Sequence, residues 1–112
     1  MPQTMDYATS TYVTTQAQGM SQQQMLLQLY DFAIAGCLAQ DTRKASAAIV
    51  ELIAALNFNY EEIAAGLYRL YEYTLREVKA RRFEAAQRVL AGLREAWGEA
   101  FAKAGTVVPL QG

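Results

Sequence analysis

The sequence predicts an all-α domain, an antiparallel up-down four-helix bundle with a mobile N-terminal arm or short helix. Three observations carry this. The only prolines, Pro2 and Pro109, stand near the ends, so the interval between them is free of the strongest helix breaker. Alanine, leucine, glutamine and glutamate dominate that interval. Apolar residues recur in it at three- and four-residue spacing, the period of a helix face. A chain of 112 residues makes one domain that buries roughly 65% of its unfolded surface and folds without staples. It divides into an arm over residues 1–20, a bundle over 21–104 and a tail over 105–112.

Residues 1–20 are rich in Thr, Ser and Gln, with Tyr7, Tyr12, Val13 and Met20 scattered among them. Ser21 and Gln24 form a Ser-x-x-Gln capping-box pattern that opens a first helix over about 22–40. Asp41 caps a second over about 42–57, with Ile49, Leu52, Ile53 and Leu56 on its apolar side. Asn59 is the N-cap of the third, where Glu61 and Glu62 favour the positive end of the helix dipole. Arg81-Arg82 marks the turn into the fourth. Its stripe of Phe83, Ala86, Val89, Leu90, Leu93, Trp97 and Phe101 runs to about Lys103, with Gly105 as the stop. Short connections make chain neighbours antiparallel.

Composition excludes several functions. There is no His, which removes His-based catalysis, the Glu-x-x-His di-iron motif and most zinc sites; no metal or cofactor is expected. The single Cys37 forms no internal disulfide and reads as a small buried hydrophobe. Glu95 and Glu99 lie off the apolar stripe and read as a solvated face. Arg76, Lys79, Arg81, Arg82 and Arg88 are diluted by Glu77 and Glu84 in a chain of net charge −1, so neither nucleic acid nor an anionic membrane is expected. No apolar run approaches the ~18 residues of a membrane span, and the N-terminus lacks a signal-peptide pattern, which places the chain in the cytoplasm. Residues 1–40 carry only Asp6 and Asp31 as charges. Asp31 follows Leu29-Tyr30 at the core edge, where a hydrogen bond to a nearby Tyr or Arg, Arg76 for one, accounts for it.

The densest signal is Gly66-Leu-Tyr-Arg-Leu-Tyr-Glu-Tyr-Thr-Leu75. At about 100° per residue its large side chains cover most of a helix circumference. Leu67, Leu70, Thr74 and Val78 read as core, with Leu90, Leu93 and Trp97 from the fourth helix. Tyr68, Tyr71 and Tyr73 read as an edge facing a partner, with Met25, Leu26, Leu29 and Tyr30 opposite. Tyrosine suits a surface that is apolar yet hydrated until covered. The natural ligand is an amphipathic segment of another protein.

Three stretches resemble the flagellar secretion chaperone family FliS. Ser21-Gln-Gln-Gln-Met-Leu-Leu-Gln-Leu-Tyr-Asp-Phe-Ala-Ile34 is similar to that family's Thr-Ala-Ser-Pro cap, Leu-rich turn and Leu-Tyr-Asp-Gly-Ala-Ile. Glu62-Ile-Ala-Ala-Gly-Leu-Tyr-Arg-Leu-Tyr-Glu-Tyr-Thr-Leu-Arg76 is similar to Glu-Ile-Ala-x-Asn-Leu-x-x-Leu-Tyr-Asp-Tyr-Met-x-Arg. Leu93-Arg-Glu-Ala-Trp97 is similar to Leu-Arg-(Glu/Asp)-Ala-Trp, and Tyr12 falls where the family often has a tyrosine. Phe32 and Gly66 stand where the pattern has Gly and Asn, and Gln22 and Glu72 where it has Pro and Asp. Roughly a dozen residues fewer separate Asp31 from Asn57, and roughly half a dozen fewer separate Arg76 from Trp97, which trims both hairpins at one end by about one to two turns of 5.4 Å.

The resemblance implies a non-enzymatic cytosolic chaperone, monomer or weak homodimer, that binds the disordered C-terminal segment of flagellin. It would prevent premature polymerisation and aid flagellar secretion. The arm, through Tyr7, Tyr12 and Val13, would cover the groove until the ligand displaces it. The alternative is a structural or regulatory module that self-associates or binds another flagellar protein. Arg82-Phe-Glu-Ala-Ala86 also looks like part of a tetratricopeptide unit, but no second copy follows at a ~34-residue period.

Overall fold

The first helix begins where Ser21 and Gln24 exchange bonds. Ser21 Oγ accepts from the Gln24 amide and Gln24 Oε1 accepts from the Ser21 amide, both at 3.0 Å. This capping box opens α1, Gln22–Leu38. The computed structural model describes residues 21–107, excepting the side chains of 105–107. The expected arm residues Tyr7, Tyr12 and Val13 lie outside the described residues.

Closure of α1 follows the Schellman pattern with Gln40 at the left-handed position, φ 55°. The Gln40 amide donates to Cys37 O at 3.0 Å and the Asp41 amide to Gly36 O at 2.8 Å. Asp41 then starts the next helix, its Oδ1 accepting from the Lys44 amide at 3.0 Å. One residue therefore closes α1 and caps α2, Thr42–Ala54.

The second helix ends three residues before the predicted Asn57. Asn57 Oδ1 accepts from the Asn59 amide at 2.9 Å, a side-chain-mediated turn that competes with further helix. The same turn corrects the assignment of Asn59 as N-cap. The cap position of α3, Glu61–Lys79, falls at Tyr60, which makes no capping bond through its side chain. Glu61 and Glu62 in the first turn and Arg76 and Lys79 in the last match the helix dipole.

The end of α3 repeats the end of α1. Arg81 has φ 62°, its amide donates to Val78 O at 2.9 Å, and the Arg82 amide donates to Glu77 O at 2.8 Å. A two-bond pair from Arg82 to the Glu77 carboxylate, at 2.8 and 3.1 Å, ties the same turn. It leads into α4, Phe83–Val107. Gly105 does not stop this helix, because nothing in a lone glycine forbids helical geometry; it only costs about 1 kcal/mol relative to alanine.

The helices form a closed ring in which α1 packs on α2, α2 on α3, α3 on α4 and α4 on α1. No strand occurs among the described residues. Two helices come close at Gly36, where an added Cβ would lie 2.6 Å from the Ala45 amide nitrogen and 2.8 Å from its Cα. Around this contact Ala33, Cys37, Ala45 and Ile49 are buried. Val78, Phe83, Ala86 and Leu90 continue the core across α3 and α4.

The two helical glycines make opposite predictions. Gly36→Ala forces backbone against backbone and should lower unfolding free energy by about 1–3 kcal/mol. At Gly66 nothing lies within 4 Å of an added Cβ, so Gly66→Ala should raise it by up to about 1 kcal/mol. Urea denaturation midpoints read both signs.

Candidate functional site

The site is built on a hydrogen-bonded aromatic layer that crosses the bundle. Tyr30 on α1 and Tyr71 on α3 are joined hydroxyl to hydroxyl, and both are buried. Their rings lie 6.2 Å apart, tilted by 56°. Trp97 on α4 donates its Nε1 proton to Tyr30 Oη at 3.1 Å. One turn on from Tyr71, Thr74 Oγ1 donates to Tyr71 O at 2.8 Å, which settles the one buried polar side chain named within the core.

This layer corrects the expected division of faces. Tyr30 and Tyr71 are core residues, not a partner-facing edge, because each hydroxyl finds its partner inside the bundle. Leu70, expected in the core, is 39% exposed; it lies about 100° around α3 from Tyr71, past the edge of the buried face. Thr74, Val78 and Leu90 are buried, whereas Leu67, Leu93 and Trp97 are half-buried against the core. Tyr68 and Tyr73 are exposed, and the Tyr68 hydroxyl donates to Glu72 Oε2 at 3.3 Å.

Asp31 has a different partner from the one proposed for it. Arg94 Nε donates to Asp31 Oδ1 at 2.9 Å and Nη2 to Oδ2 at 3.3 Å. Arg76 instead reaches Glu72 at 3.7 Å. The Asp31 carboxylate holds the Arg94 guanidinium above its ordinary pKa. Both side chains are solvent-accessible, so the pair is worth at most about 1 kcal/mol, and its geometric effect is to fix α1 against α4.

The buried core stops at the tyrosine layer on three of the four helices. No described residue is buried before Tyr30 on α1, after Leu52 on α2 or after Leu90 on α4. Only Ala64 is buried before Tyr71 on α3. Above the layer the bundle opens into an apolar groove of about 350 Å³, lined by Leu26, Leu56, Ile63, Leu67 and Trp97, with Tyr71 at its floor. It adjoins a second recess of about 620 Å³ lined by Met25, Leu26, Leu29, Trp97 and Phe101. Trp97 and Phe101 stack at 5.4 Å and form the α4 wall of the mouth. Of the expected binding residues, Met25, Leu26 and Leu29 line the mouth. Tyr68 and Tyr73 do not line it. Leu56, Ile63 and Phe101 belong to it without having been expected as binding residues, and the spacing of large apolar residues in their helices was the only signal for them.

Beneath the floor the tyrosine hydroxyls are buried and engaged with one another. Indole nitrogen only donates, so Tyr30 Oη accepts from Trp97. Whichever tyrosine donates in the Tyr30–Tyr71 bond, one hydroxyl proton has no acceptor among the described residues. Nothing here resembles a reaction centre. No group of three or more Cys, Asp or Glu able to hold a metal occurs among the described residues. Burial pushes the Cys37 thiol above its ordinary pKa, which keeps it protonated and unreactive.

The model of the family described as flagellar protein FliS matches residues 35–104, well over half of the chain. The chain belongs to the FliS family. FliS is a chaperone family without enzymatic activity, and its members bind flagellar proteins. Neither a curated protein nor a solved structure matches the chain. The matched residues include the second and third FliS-like stretches, while the Leu29-Tyr30-Asp31 stretch lies just before them. The structure joins all three at one place. Tyr30 and Asp31 come from the first, Tyr71 from the second, and Arg94 and Trp97 from the third. In this FliS-family member those side chains are largely an internal girdle that fixes how wide the groove stands.

Burial pushes the Tyr30 and Tyr71 hydroxyls above the ordinary tyrosine range, the bond from Tyr71 adding to the rise at Tyr30. An acid with a raised folded pKa stabilises the fold below its unfolded pKa and loses that contribution as pH rises toward the folded value. Stability should therefore fall above pH about 10, where unfolded tyrosine ionises. Tyr71→Phe should cost about 1–2 kcal/mol at neutral pH and flatten this alkaline limb. Urea unfolding from pH 7 to 11 measures both.

Proposed function

We propose that this chain is a cytoplasmic export chaperone whose groove above the tyrosine layer takes the C-terminal segment of flagellin. The carrying observation is the arrested core. Four helices leave Leu26, Leu56, Leu67 and Trp97 half-covered around a recess too apolar to be of use empty. An amphipathic segment laid into it as a helix, or as an extended stretch, would complete the core from outside.

Such a segment, disordered when free, gives up ordering entropy as it binds, which suits a complex that must later be undone. Holding it would block polymerisation and present flagellin for secretion. No helix among the described residues is long and apolar enough to cross a membrane, in keeping with a chaperone acting before export. Residues 1–20 join the bundle at Ser21, beside Gln22 and Gln23 of the second recess. From there they would cover the mouth until flagellin displaces them.

Calorimetry with the flagellin C-terminal segment tests the reading. It should show one-to-one binding with a large negative heat-capacity change, because apolar surface is buried. Leu26→Glu, on an already half-exposed position, should weaken binding at least about tenfold, or about 1.4 kcal/mol, without unfolding the bundle. Absence of binding by the unaltered protein would defeat the assignment. Removal of residues 1–20 should raise affinity; an unchanged affinity would rule out the covering role of the arm.

A further inference from the structure

The end of the bundle opposite the groove is more basic than the chain as a whole, whose net charge is −1. In the sequence its cations fall in two separate runs, Arg43-Lys44 and Lys79 to Arg82, with Asp41 and Glu77 standing beside them. The fold brings the runs together. Arg81, in the turn after α3, donates to Thr42 Oγ1 at the start of α2, at 3.4 Å. The neighbouring acids are taken up locally: Asp41 accepts from the Lys44 amide, and Glu77 holds Arg82 through two bonds. Glu84, the remaining acid at this end, lies 3.9 Å from Arg88. Arg43, Lys44, Lys79 and Arg81 are exposed, and no carboxylate among the described residues pairs with any of them.

An apolar side chain stands at the same end. Leu38, the last residue of α1, is 70% exposed, more than any other large apolar residue among those described. It belongs to the turn that leads into Arg43-Lys44. Arg81 is steadied there without being neutralised. Besides its bond to Thr42 it lies 5.1 Å over the Phe83 ring, and a guanidinium has five N–H donors to offer. Main-chain bonds fix both turns, so little ordering is left for a partner to impose.

We propose that this tip docks an acidic segment of another protein, one with a large apolar residue set among Asp and Glu. The apolar residue seats on Leu38, and the carboxylates meet Arg43, Lys44, Lys79 and Arg81. Nucleic acid supplies the charge but no apolar side chain for Leu38. One leucine is also a small anchor for a bilayer, where even a single myristoyl chain holds only marginally. Contacts of this kind are fast and salt-sensitive, since exposed charges are screened over about 8 Å at physiological ionic strength. The tip lies at the far end from the groove, so it does not depend on what the groove binds.

Fluorescence anisotropy of a labelled synthetic peptide, Asp-Glu-Glu-Leu-Glu-Glu-Asp, titrated with the full chain tests the docking. Binding is expected at about 50 mM salt and should weaken at least about tenfold by about 300 mM. Arg43→Gln combined with Lys44→Gln should weaken it at least about tenfold, while Arg69→Gln, at an exposed cation of α3 away from the tip, should leave it unchanged. Leu38→Ser should weaken binding of this peptide several-fold but not that of the same peptide with Ser in place of Leu, the coupling of a direct contact. Circular dichroism of each variant confirms that the bundle is intact. No binding at low salt would overturn the proposal, as would indifference to Leu38→Ser or an equal loss with Arg69→Gln. Tighter binding of an oligouridylate of equal charge, or of phosphatidylglycerol vesicles, would overturn it in favour of nucleic acid or a membrane surface.

Discussion

The bond between the Tyr30 and Tyr71 hydroxyls, together with the Trp97 indole that donates to Tyr30, is the constraint on which the rest of the molecule depends. A polar contact this deep must be matched or it costs more than it returns. Matching it requires α1, α3 and α4 to keep one spacing at that level. Below the layer, toward Gln40 and Arg81, small residues close the bundle: Ala33, Gly36, Ala45 and Ala86 let the helices approach. Above it, Leu26, Leu56, Leu67 and Trp97 stay half-buried around the recess. The layer is the boundary between a filled core and an unfilled one, and the groove is what lies on the unfilled side.

The end opposite the groove is fastened for the same geometry. Both hairpin turns there close with a residue in the left-handed conformation, Gln40 and Arg81, where glycine would fit without strain. Each is held by two main-chain bonds. Arg81 also donates to Thr42 Oγ1 at 3.4 Å and lies 5.1 Å over the Phe83 ring, linking the two turns. A bundle tied at one end and open at the other accommodates a ligand at its free end with little disturbance to its packed half. Asp31 and Arg94 sit beside the layer and resist rotation of α4 against α1.

What could be read from residues alone tracks how local the physics is. The Ser21 capping box and the Asp41 cap are bonds across three residues, and the sequence shows them outright. The number and order of the helices follow from apolar spacing. The turn at Arg81-Arg82 was faint because its signal is a backbone φ held by tertiary bonds, with no glycine to announce it. Asn59 misled because Asn57, two residues earlier, takes its amide first. The tyrosines were the hardest. Helical spacing places Tyr71 near the inward face, but only a hydroxyl 41 residues away in sequence decides that it stays there. Leu70 lost its place in the core because it points about 100° away from Tyr71 around α3, past the edge of the buried face. The FliS-like stretches were legible as stretches, and their meeting in one layer was not.

The half-filled end of the bundle is the place where we propose that a flagellin C-terminal segment completes the core. Hydrogen exchange by mass spectrometry, with and without that segment, reads it directly. Protection should rise over residues 22–29, 55–67 and 97–104, which surround the groove, and stay unchanged over residues 36–48 at the fastened end. Binding without added protection around the groove, or with protection confined to the fastened end, would contradict it.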